Sequence, residues 1–211
     1  MSKKEIPEIK IILLGDSAVG KTSIIKRFNE NTFNADEASS VTMSYVDQIV
    51  NINNKKYKLN IWDTIGQEQY RSISKLFLNG TKIAILVYSI ENKKSFESLN
   101  YWYSICKDEF GDDIILGVCG NKIDRYLDQE VPSEEGRNFA NDKNALFVEV
   151  SAKEDKIFIK KFFLSLVEMY ADKTTNFLRN KENKQIKLKQ DNDSNSNDKN
   201  KKDKRCCSSK K

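Results

Sequence analysis

An eight-residue loop near the start of the chain limits the possible folds more than any other feature. Residues 15–22 read GDSAVGKT and fit the pattern G-x-x-x-x-G-K-[ST]. The loop follows an apolar segment, Glu8–Leu14, predicted as a strand, and leads into Lys21–Phe28, predicted as a helix. Glycines let the backbone wrap around phosphate groups, and a helix N-terminus supplies amides and partial positive charge. The sequence therefore predicts a phosphate site in which Lys21 reaches the β- and γ-phosphates and the Thr22 hydroxyl binds Mg²⁺.

Strand and helix signals alternate along most of the chain. Further predicted strands are Tyr45–Ile52, Tyr57–Trp62, Ile83–Tyr88, Ile114–Cys119 and Ala145–Val150. Further predicted helices are Glu68–Leu78, Lys93–Glu109, Ser133–Asn141 (with Ser133 as candidate N-cap) and Lys156–Ala171. This order is typical of an α/β fold, a mostly parallel sheet with helices on both faces. A hairpin signal at residues 53–56 predicts one antiparallel edge strand, which makes six strands in all.

Charge and composition divide the chain into two parts. Residues 181–211 hold 11 Lys/Arg against 5 Asp/Glu, whereas residues 1–180 hold 25 against 26. A nearly neutral body and a basic tail without interleaved aromatic residues disfavour nucleic-acid binding. The tail is too polar to offset the entropy of ordering it. We predict a folded domain over residues 1–175 and a disordered basic tail over residues 176–211.

The absence of histidine excludes whole classes of site. The 211 residues contain no His, which rules out Ser-His-Asp and Cys-His catalysis and imidazole-bound zinc. Cys106 and Cys119 fall in a predicted helix and strand, where we expect buried small hydrophobic side chains. The N-terminus has no signal-peptide hydrophobic region and no apolar run is long enough to span a membrane. We expect an intracellular protein.

Three further segments follow predicted strands. They are Asp63–Glu68 (DTIGQE), Asn121–Asp124 (NKID) and Ser151–Lys153 (SAK). Each taken alone is also compatible with a solvated surface turn. All three, however, fall at carboxyl ends of strands on the edge that carries the phosphate loop, where ligands bind in open α/β sheets. An acid at a strand end can hold Mg²⁺, and a carboxylate such as Asp124 could accept hydrogen bonds from guanine N1–H and its amine, a donor pair that adenine lacks.

With these motifs in this order, residues 8–172 resemble the Ras-superfamily small GTPases, and most closely the Rab branch. Trp62 before Asp63 in the segment Lys58–Thr64, and the long tail with paired cysteines, are similar to Rab rather than Ras proteins. The resemblance implies the small-GTPase fold, the ligands GTP or GDP with Mg²⁺, and slow hydrolysis that a partner accelerates.

The resemblance also implies a role for individual residues. Backbone amides would cradle the phosphates; they belong to Ser17, Ala18, Val19, Gly20, Lys21, Thr22 and Ser23. Asp63 would hold Mg²⁺ through water, Gly66 would donate to the γ-phosphate, and Gln67 would orient the attacking water. Around the base, Asn121 and Asp124 would recognise guanine, Lys122 would pack over it, and the Ala152 amide within Ser151-Ala152-Lys153 would contact O6. Phe33 matches an aromatic residue that packs against the base, although a core position is the alternative interpretation.

The first switch departs from the family pattern. Counting from Thr22 places Ser40 where the family has a Thr that binds Mg²⁺ and the γ-phosphate; Thr42 is the competing candidate, two residues out of register. Ile65 stands where Ala is usual, and Ser89 where Asp is common. Residues 76–80 also lack the paired tyrosines of Rab proteins. Ser40 and Ile65 therefore leave open an alternative function, a nucleotide-binding scaffold with negligible hydrolysis. A P-loop kinase or ATPase is a second alternative, which Asn121 and Asp124 disfavour.

Adjacent cysteines lie near the end of a basic segment, Lys201–Lys211. By resemblance, Cys206 and Cys207 would carry two geranylgeranyl chains; palmitoylation and an unmodified tail are the alternatives, because four residues follow Cys207. The resemblance implies a protein that cycles from cytoplasm to the cytosolic face of an endomembrane in vesicle traffic. It would meet GTP-state effectors, an exchange factor, a GTPase-activating protein and a prenyl-binding chaperone. We expect a monomer.

Overall fold

The computed structural model describes residues 5–30, 32, 44–63, 78–154 and 156–177 of the 211-residue chain. Within these residues a six-stranded sheet has the order β2-β3-β1-β4-β5-β6. The strands are β1 (Glu8–Leu14), β2 (Ser44–Ile52), β3 (Lys55–Asp63), β4 (Thr81–Ser89), β5 (Ile115–Asn121) and β6 (Leu146–Val150). Only the β2–β3 pair is antiparallel among these strands, so the predicted fold class is confirmed.

Apart from the helical residue Leu78, five helices connect or follow the strands in the described part of the chain. They are α1 (Lys21–Asn29), α2 (Lys93–Glu97), α3 (Leu99–Phe110), α4 (Ser133–Asp142) and α5 (residues 156–177). A 3-10 turn, Ile123–Asp128, follows β5. The chain divides into two compact units, Met1–Tyr170 and Ala171–Lys211; the described residues of the second unit, 171–177, are helical. The predicted helix at 68–78 lies outside the described residues except for Leu78.

The central strands are apolar on both faces because helices cover both sides of the sheet. On one side, Trp102 and Cys106 of α3 pack with Leu86 and Tyr88 of β4. On the other side, Phe28 of α1 stacks on Phe163 of α5, with ring centroids 4.4 Å apart. Continuous apolar strands are what a parallel sheet between two helical layers requires.

The buried cysteines behave as the sequence predicts. Cys106 and Cys119 are both buried and free. Burial raises the pKa of the Cys106 thiol to about 12, and burial with the nearby Glu149 also raises the pKa of Cys119. These thiols stay protonated and apolar near neutral pH, which suits core positions.

The edge hairpin is confirmed with a tighter turn than the sequence indicates. Only Asn53 and Asn54 separate the two strands, with φ angles of 49° and 61°. Asparagine tolerates this left-handed conformation, and two such residues match the twist of the flanking strands. The remaining residues of the predicted connection, Lys55 and Lys56, belong to β3.

Two helix predictions need correction. The segment predicted as one helix over Lys93–Glu109 forms α2 and α3, which are separated at Ser98. The Ser98 hydroxyl donates to the Lys94 carbonyl at 3.0 Å, a bond that competes with regular helix geometry. Ser133 is also not the cap of α4. The extended backbone of Pro132 occupies the N-cap, its carbonyl accepts the Glu135 amide at 3.0 Å, and Ser133 is the first helical residue.

Candidate functional site

The phosphate loop occupies the short connection between β1 and α1, as predicted. Both of its glycines have backbone angles that favour glycine, φ 153° at Gly15 and φ 96° at Gly20. A side chain would also collide at both positions. An added Cβ would lie 2.2 Å from the Val87 carbonyl oxygen at Gly15 and 2.2 Å from Asn121 Nδ2 at Gly20. These glycines therefore allow the loop to lie directly against β4 and β5.

The N-terminus of α1 suits an anionic ligand. Its N-cap, Gly20, makes no side-chain cap hydrogen bond, and the first turn contains no acidic residue. The partial positive charge of the helix end is therefore not compensated by a carboxylate in that turn. Ser17 and Ala18 lie in the loop ahead of it, Val19 is buried, and Ser23 lies on the first turn of the helix. This arrangement fits a phosphate cradle.

Lys21 is a buried cation aimed along the loop. Its side chain is only 5% exposed, and Nζ donates to the carbonyls of Gly15 and Asp16, at 2.8 Å in both cases. Burial lowers the pKa of Lys21 to about 8, although the charges of Asp63 and Asp16 oppose the shift. A phosphate group beside Nζ would supply the full negative charge that this lysine needs.

Thr22 and Asp63 meet as a hydroxyl–carboxylate pair. The Thr22 hydroxyl donates to Asp63 Oδ2 at 2.6 Å, which joins the start of α1 to the end of β3. Strand pairing explains the contact, because Leu13 at the end of β1 lies opposite Asp63. A hydroxyl and a carboxylate next to a phosphate cradle are oxygen ligands of the type that Mg²⁺ prefers, so these residues fit the predicted ion.

Asn121 joins the phosphate loop to the SAK segment. The side chain is 1% exposed, its Nδ2 donates to the Val19 carbonyl at 2.8 Å, and its Oδ1 accepts the Ala152 amide at 3.1 Å. The sequence predicts Asn121 as a guanine contact and the Ala152 amide as a donor to O6. In the structure these two groups are hydrogen-bonded to each other. Asn121 therefore connects the phosphate loop and the SAK segment, in addition to any contact with a base.

Asp124 is held by a second loop. The Ser151 hydroxyl donates to Asp124 Oδ1 at 2.6 Å, and Ser151 is fully buried. This fixes the direction of a carboxylate whose acceptor oxygens suit paired N–H donors. Lys153 follows in the exposed part of the same segment. The structure thus brings the NKID and SAK segments together. The hydrogen bonds of Asn121 to Val19 and Ala152 join them to the phosphate loop.

Lys122 makes an ion pair that the sequence motifs do not indicate. Its Nζ lies 2.7 Å from Glu91 Oε1, and Arg125 Nη1 lies 2.7 Å from Glu91 Oε2. Burial alone would raise the pKa of Glu91, but hydrogen bonds from Lys122 and Arg125 outweigh it and lower the pKa. Glu91 stays ionised near neutral pH.

Two further contacts hold the loops and are missed by motif analysis. From α1, Arg27 Nε donates to the Ala152 carbonyl at 2.7 Å and Nη2 to the Lys153 carbonyl at 2.6 Å. From α3, the buried Trp102 Nε1 donates to Asp16 Oδ1 at 2.9 Å. Trp102 is indicated by helical periodicity only as a core residue, and nothing in the sequence pairs Arg27 with a segment 125 positions later.

Several predicted site residues lie outside the described part of the chain. They are Phe33, Ser40, Gly66, Gln67, Cys206 and Cys207. Within the described residues, no helix has both the length and the apolar composition needed to cross a bilayer.

Comparison with known proteins adds family evidence to this geometry. The sequence model that represents the Ras family matches residues 10–172 of the chain. The chain is 38% identical over 149 residues to Ras-related protein RabJ of Dictyostelium discoideum, which covers 71% of this chain and 58% of RabJ. It is 38% identical over 144 residues to Ras-related protein Rab-2B of the same organism (68% of this chain, 71% of that protein). It is 35% identical over 161 residues to Ras-related protein RABA4d of Arabidopsis thaliana (76% and 72%). The chain thus spans less than two thirds of the length of RabJ.

Proposed function

The chain belongs to the Rab branch of the Ras family of small GTPases, and from this membership we propose that it is a molecular switch that binds and hydrolyses GTP in intracellular membrane traffic. One observation supports this proposal most directly. A buried lysine at a helix N-terminus and a carboxylate oriented by Ser151 lie at the same edge of one sheet, joined through Asn121. The first arrangement suits phosphates and the second suits guanine.

The residues would act by positioning and by charge stabilisation. Lys21 and the amides of residues 17–23 would hold the phosphates, while Asp124 would accept the two guanine donors. Thr22 and Asp63 would hold Mg²⁺, with Ser40 as a further ligand in the GTP state. Bound Mg²⁺ would neutralise charge on the β- and γ-phosphates.

Hydrolysis would depend on Gln67. In our proposal this side chain orients the attacking water in line with the γ-phosphate, so that the chemistry needs no covalent intermediate. None of the binding motifs contains an arginine that could act as an internal finger. Intrinsic turnover would therefore be slow, and a GTPase-activating partner would supply the missing positive charge, worth about 10³–10⁵-fold in the small GTPases used to define this effect.

The GTP-bound and GDP-bound states would differ in the contacts that the γ-phosphate of GTP makes with the protein. Ser40 and Gly66 would bind the γ-phosphate side of the ligand, and residues 33–45 and 64–78 would change partners once that phosphate is lost. GTP-state effectors would recognise those segments, and an exchange factor would promote replacement of bound GDP by GTP. Lipid chains on Cys206 and Cys207, with the basic tail, would bring the protein to an endomembrane, and a prenyl-binding chaperone would return it to the cytoplasm.

Calorimetry with GTP and ATP tests the binding proposal. We expect tight, Mg²⁺-dependent binding of GTP and GDP, and much weaker binding of the adenine nucleotides. Equal affinity for GTP and ATP would contradict the guanine assignment and favour a P-loop kinase or ATPase.

Single-turnover hydrolysis tests the enzymatic proposal. Gln67→Leu is expected to keep GTP affinity and lower the rate of hydrolysis, whereas Gln48→Leu on β2 serves as the matched control and keeps both. Undetectable hydrolysis by the unmodified chain, even with an activating protein, would instead support a nucleotide-binding scaffold.

Two measurements test the proposed role of the tail. Intact-mass measurement of protein from its native cell tests lipidation. The location of the protein in that cell, compared with the location of a Cys206→Ser/Cys207→Ser form, tests membrane targeting.

A further inference from the structure

Glu91 occupies a rigid position beside the guanine-recognition loop, which we define as residues 122–125. The backbone on either side of Glu91 is fixed. The Ile90 amide donates to the Asn121 carbonyl at 3.1 Å, and the Ile90 carbonyl accepts the amides of Glu130 and Val131 at 2.8 and 3.0 Å. On the other side, the Asn92 side chain accepts the Ser95 amide at 3.1 Å and caps α2. Glu91 therefore projects from a segment that is tied directly to the end of β5.

The two oxygens of Glu91 contact the two ends of the loop. Oε1 accepts a hydrogen bond from Lys122 Nζ and Oε2 accepts one from Arg125 Nη1, each at 2.7 Å. The loop itself is a tight turn, because the Arg125 amide donates to the Lys122 carbonyl at 2.8 Å. Asp124 lies inside that turn. One carboxylate thus holds the turn on one side, while Ser151 holds Asp124 on the other.

The loop needs such support. Lys122 has φ 72°, a left-handed conformation that is unfavourable for a residue with a long side chain. The Glu91 side chain is only 17% exposed and that of Lys122 27%, so this pair is less screened by solvent than a surface ion pair. Arg125 is 58% exposed and contributes less.

We propose that Glu91 is a positioning residue that clamps the guanine-recognition loop around Asp124 and thereby slows nucleotide release. This inference rests on the proposed function, because it assumes that Asp124 accepts hydrogen bonds from a guanine base. Without the Glu91 charge the turn loosens, Asp124 loses its fixed direction, and the base dissociates more readily. Glu91 itself need not touch the nucleotide.

Dissociation of GDP from the full chain tests the clamp. For Glu91→Gln we expect release roughly three- to tenfold faster, in keeping with loss of one partly buried, charge-assisted contact pair. Arg125→Gln removes the more exposed of the two ion pairs of Glu91, and we expect GDP release about twofold faster. The control is Asp47→Asn, which removes the 3.0 Å ion pair with Lys58 on the edge hairpin and leaves the release rate unchanged.

Comparison with inosine diphosphate separates positioning from general destabilisation. Inosine lacks the exocyclic amine, so Asp124 can accept only one of its two hydrogen bonds. If Glu91 acts through Asp124, Glu91→Gln lowers the preference for GDP over inosine diphosphate, whereas general destabilisation speeds release of both equally.

An unchanged preference would overturn the proposal. So would unchanged GDP release in both Glu91→Gln and Arg125→Gln, or equal acceleration in Asp47→Asn. If the unmodified chain failed to prefer GDP over adenosine diphosphate, the proposed function itself would fail, and that result is visible before any variant is made.

Discussion

The phosphate loop and the guanine-recognition corner are built in different ways. The phosphate loop is one continuous segment, and its shape follows from backbone angles at glycines and from the start of α1. The corner combines residues of α1, the segment after β4, the loop after β5 and the loop after β6, held mainly by side-chain hydrogen bonds. A local motif can therefore encode the first region, whereas the second exists only when the sheet brings four segments together.

The two regions meet at Asn121. Its Nδ2 donates to Val19 in the phosphate loop, and the absence of a side chain at Gly20 leaves room for that amide. Its Oδ1 accepts from Ala152 in the corner. Changes confined to one region should therefore affect phosphate or base recognition separately, while changes at this junction should affect both.

Replacing the buried lysine should have the largest effect. Lys21→Met keeps an apolar stem but removes the charge, and each hydrogen bond to a charged group contributes about 1.5–3 kcal/mol. We expect the affinities for GTP and GDP to fall at least roughly 100-fold, measured by calorimetry with Lys26→Met on the same helix as control. A loss no greater than the control would mean that the phosphate loop does not use Lys21.

Removing the carboxylate of the corner should affect the base and spare the phosphates. For Asp124→Ala we expect GDP affinity to fall roughly 30- to 100-fold, because two guanine donors lose their acceptor, while ATP affinity stays as weak as before. Competition assays with both nucleotides measure the ratio, and Asp128→Ala at the end of the same turn is the control. An equal loss for guanine and adenine nucleotides would argue that Asp124 supports the fold instead of reading the base.

The pH dependence of folding should reveal the desolvated charge in the phosphate loop. The pKa of Lys21 in the folded protein, about 8, lies below its ordinary value of 10.5. Between these values the unfolded chain binds more protons than the folded chain, so stability rises with pH. Relative to Lys21→Met, the nucleotide-free protein in a chelator should gain on the order of 1 kcal/mol per pH unit from pH 8 to 10. Denaturant unfolding at several pH values measures this. A constant difference between the two proteins would show that Asp63 and Asp16 fully offset the burial of the lysine.

Loosening the corner from α1 should have the smallest effect. Arg27→Gln frees the carbonyls of Ala152 and Lys153, and we expect GDP release to be roughly two- to fivefold faster, because the loop keeps its bonds to Asn121 and Asp124. Stopped-flow fluorescence measures the rate, with Arg137→Gln as control. No change would mean that these two bonds are dispensable for holding the SAK segment.

The elements that the sequence predicts well are those whose signal is local. The apolar run Glu8–Leu14 coincides with β1, and the alternating runs around Asn53 and Asn54 form the hairpin. The continuous apolar segments in β4 and β5 indicate burial on both faces. Errors occur where a single residue divides a helix, as at Ser98, or where backbone geometry outweighs side-chain preference, as at Pro132.

Within the site, the same distinction applies to individual residues. By itself the sequence determined the phosphate loop, its following helix, and the placement of Asp63, Asn121 and Ser151 at strand ends, because turn geometry and burial depend on neighbouring residues. Only the tertiary structure decided that Arg27 holds the SAK segment, that Trp102 holds Asp16 and that Glu91 holds Lys122 and Arg125. Those pairs join residues 31 to 126 positions apart, and a hydrogen bond over such a separation leaves no periodic or local trace in the chain.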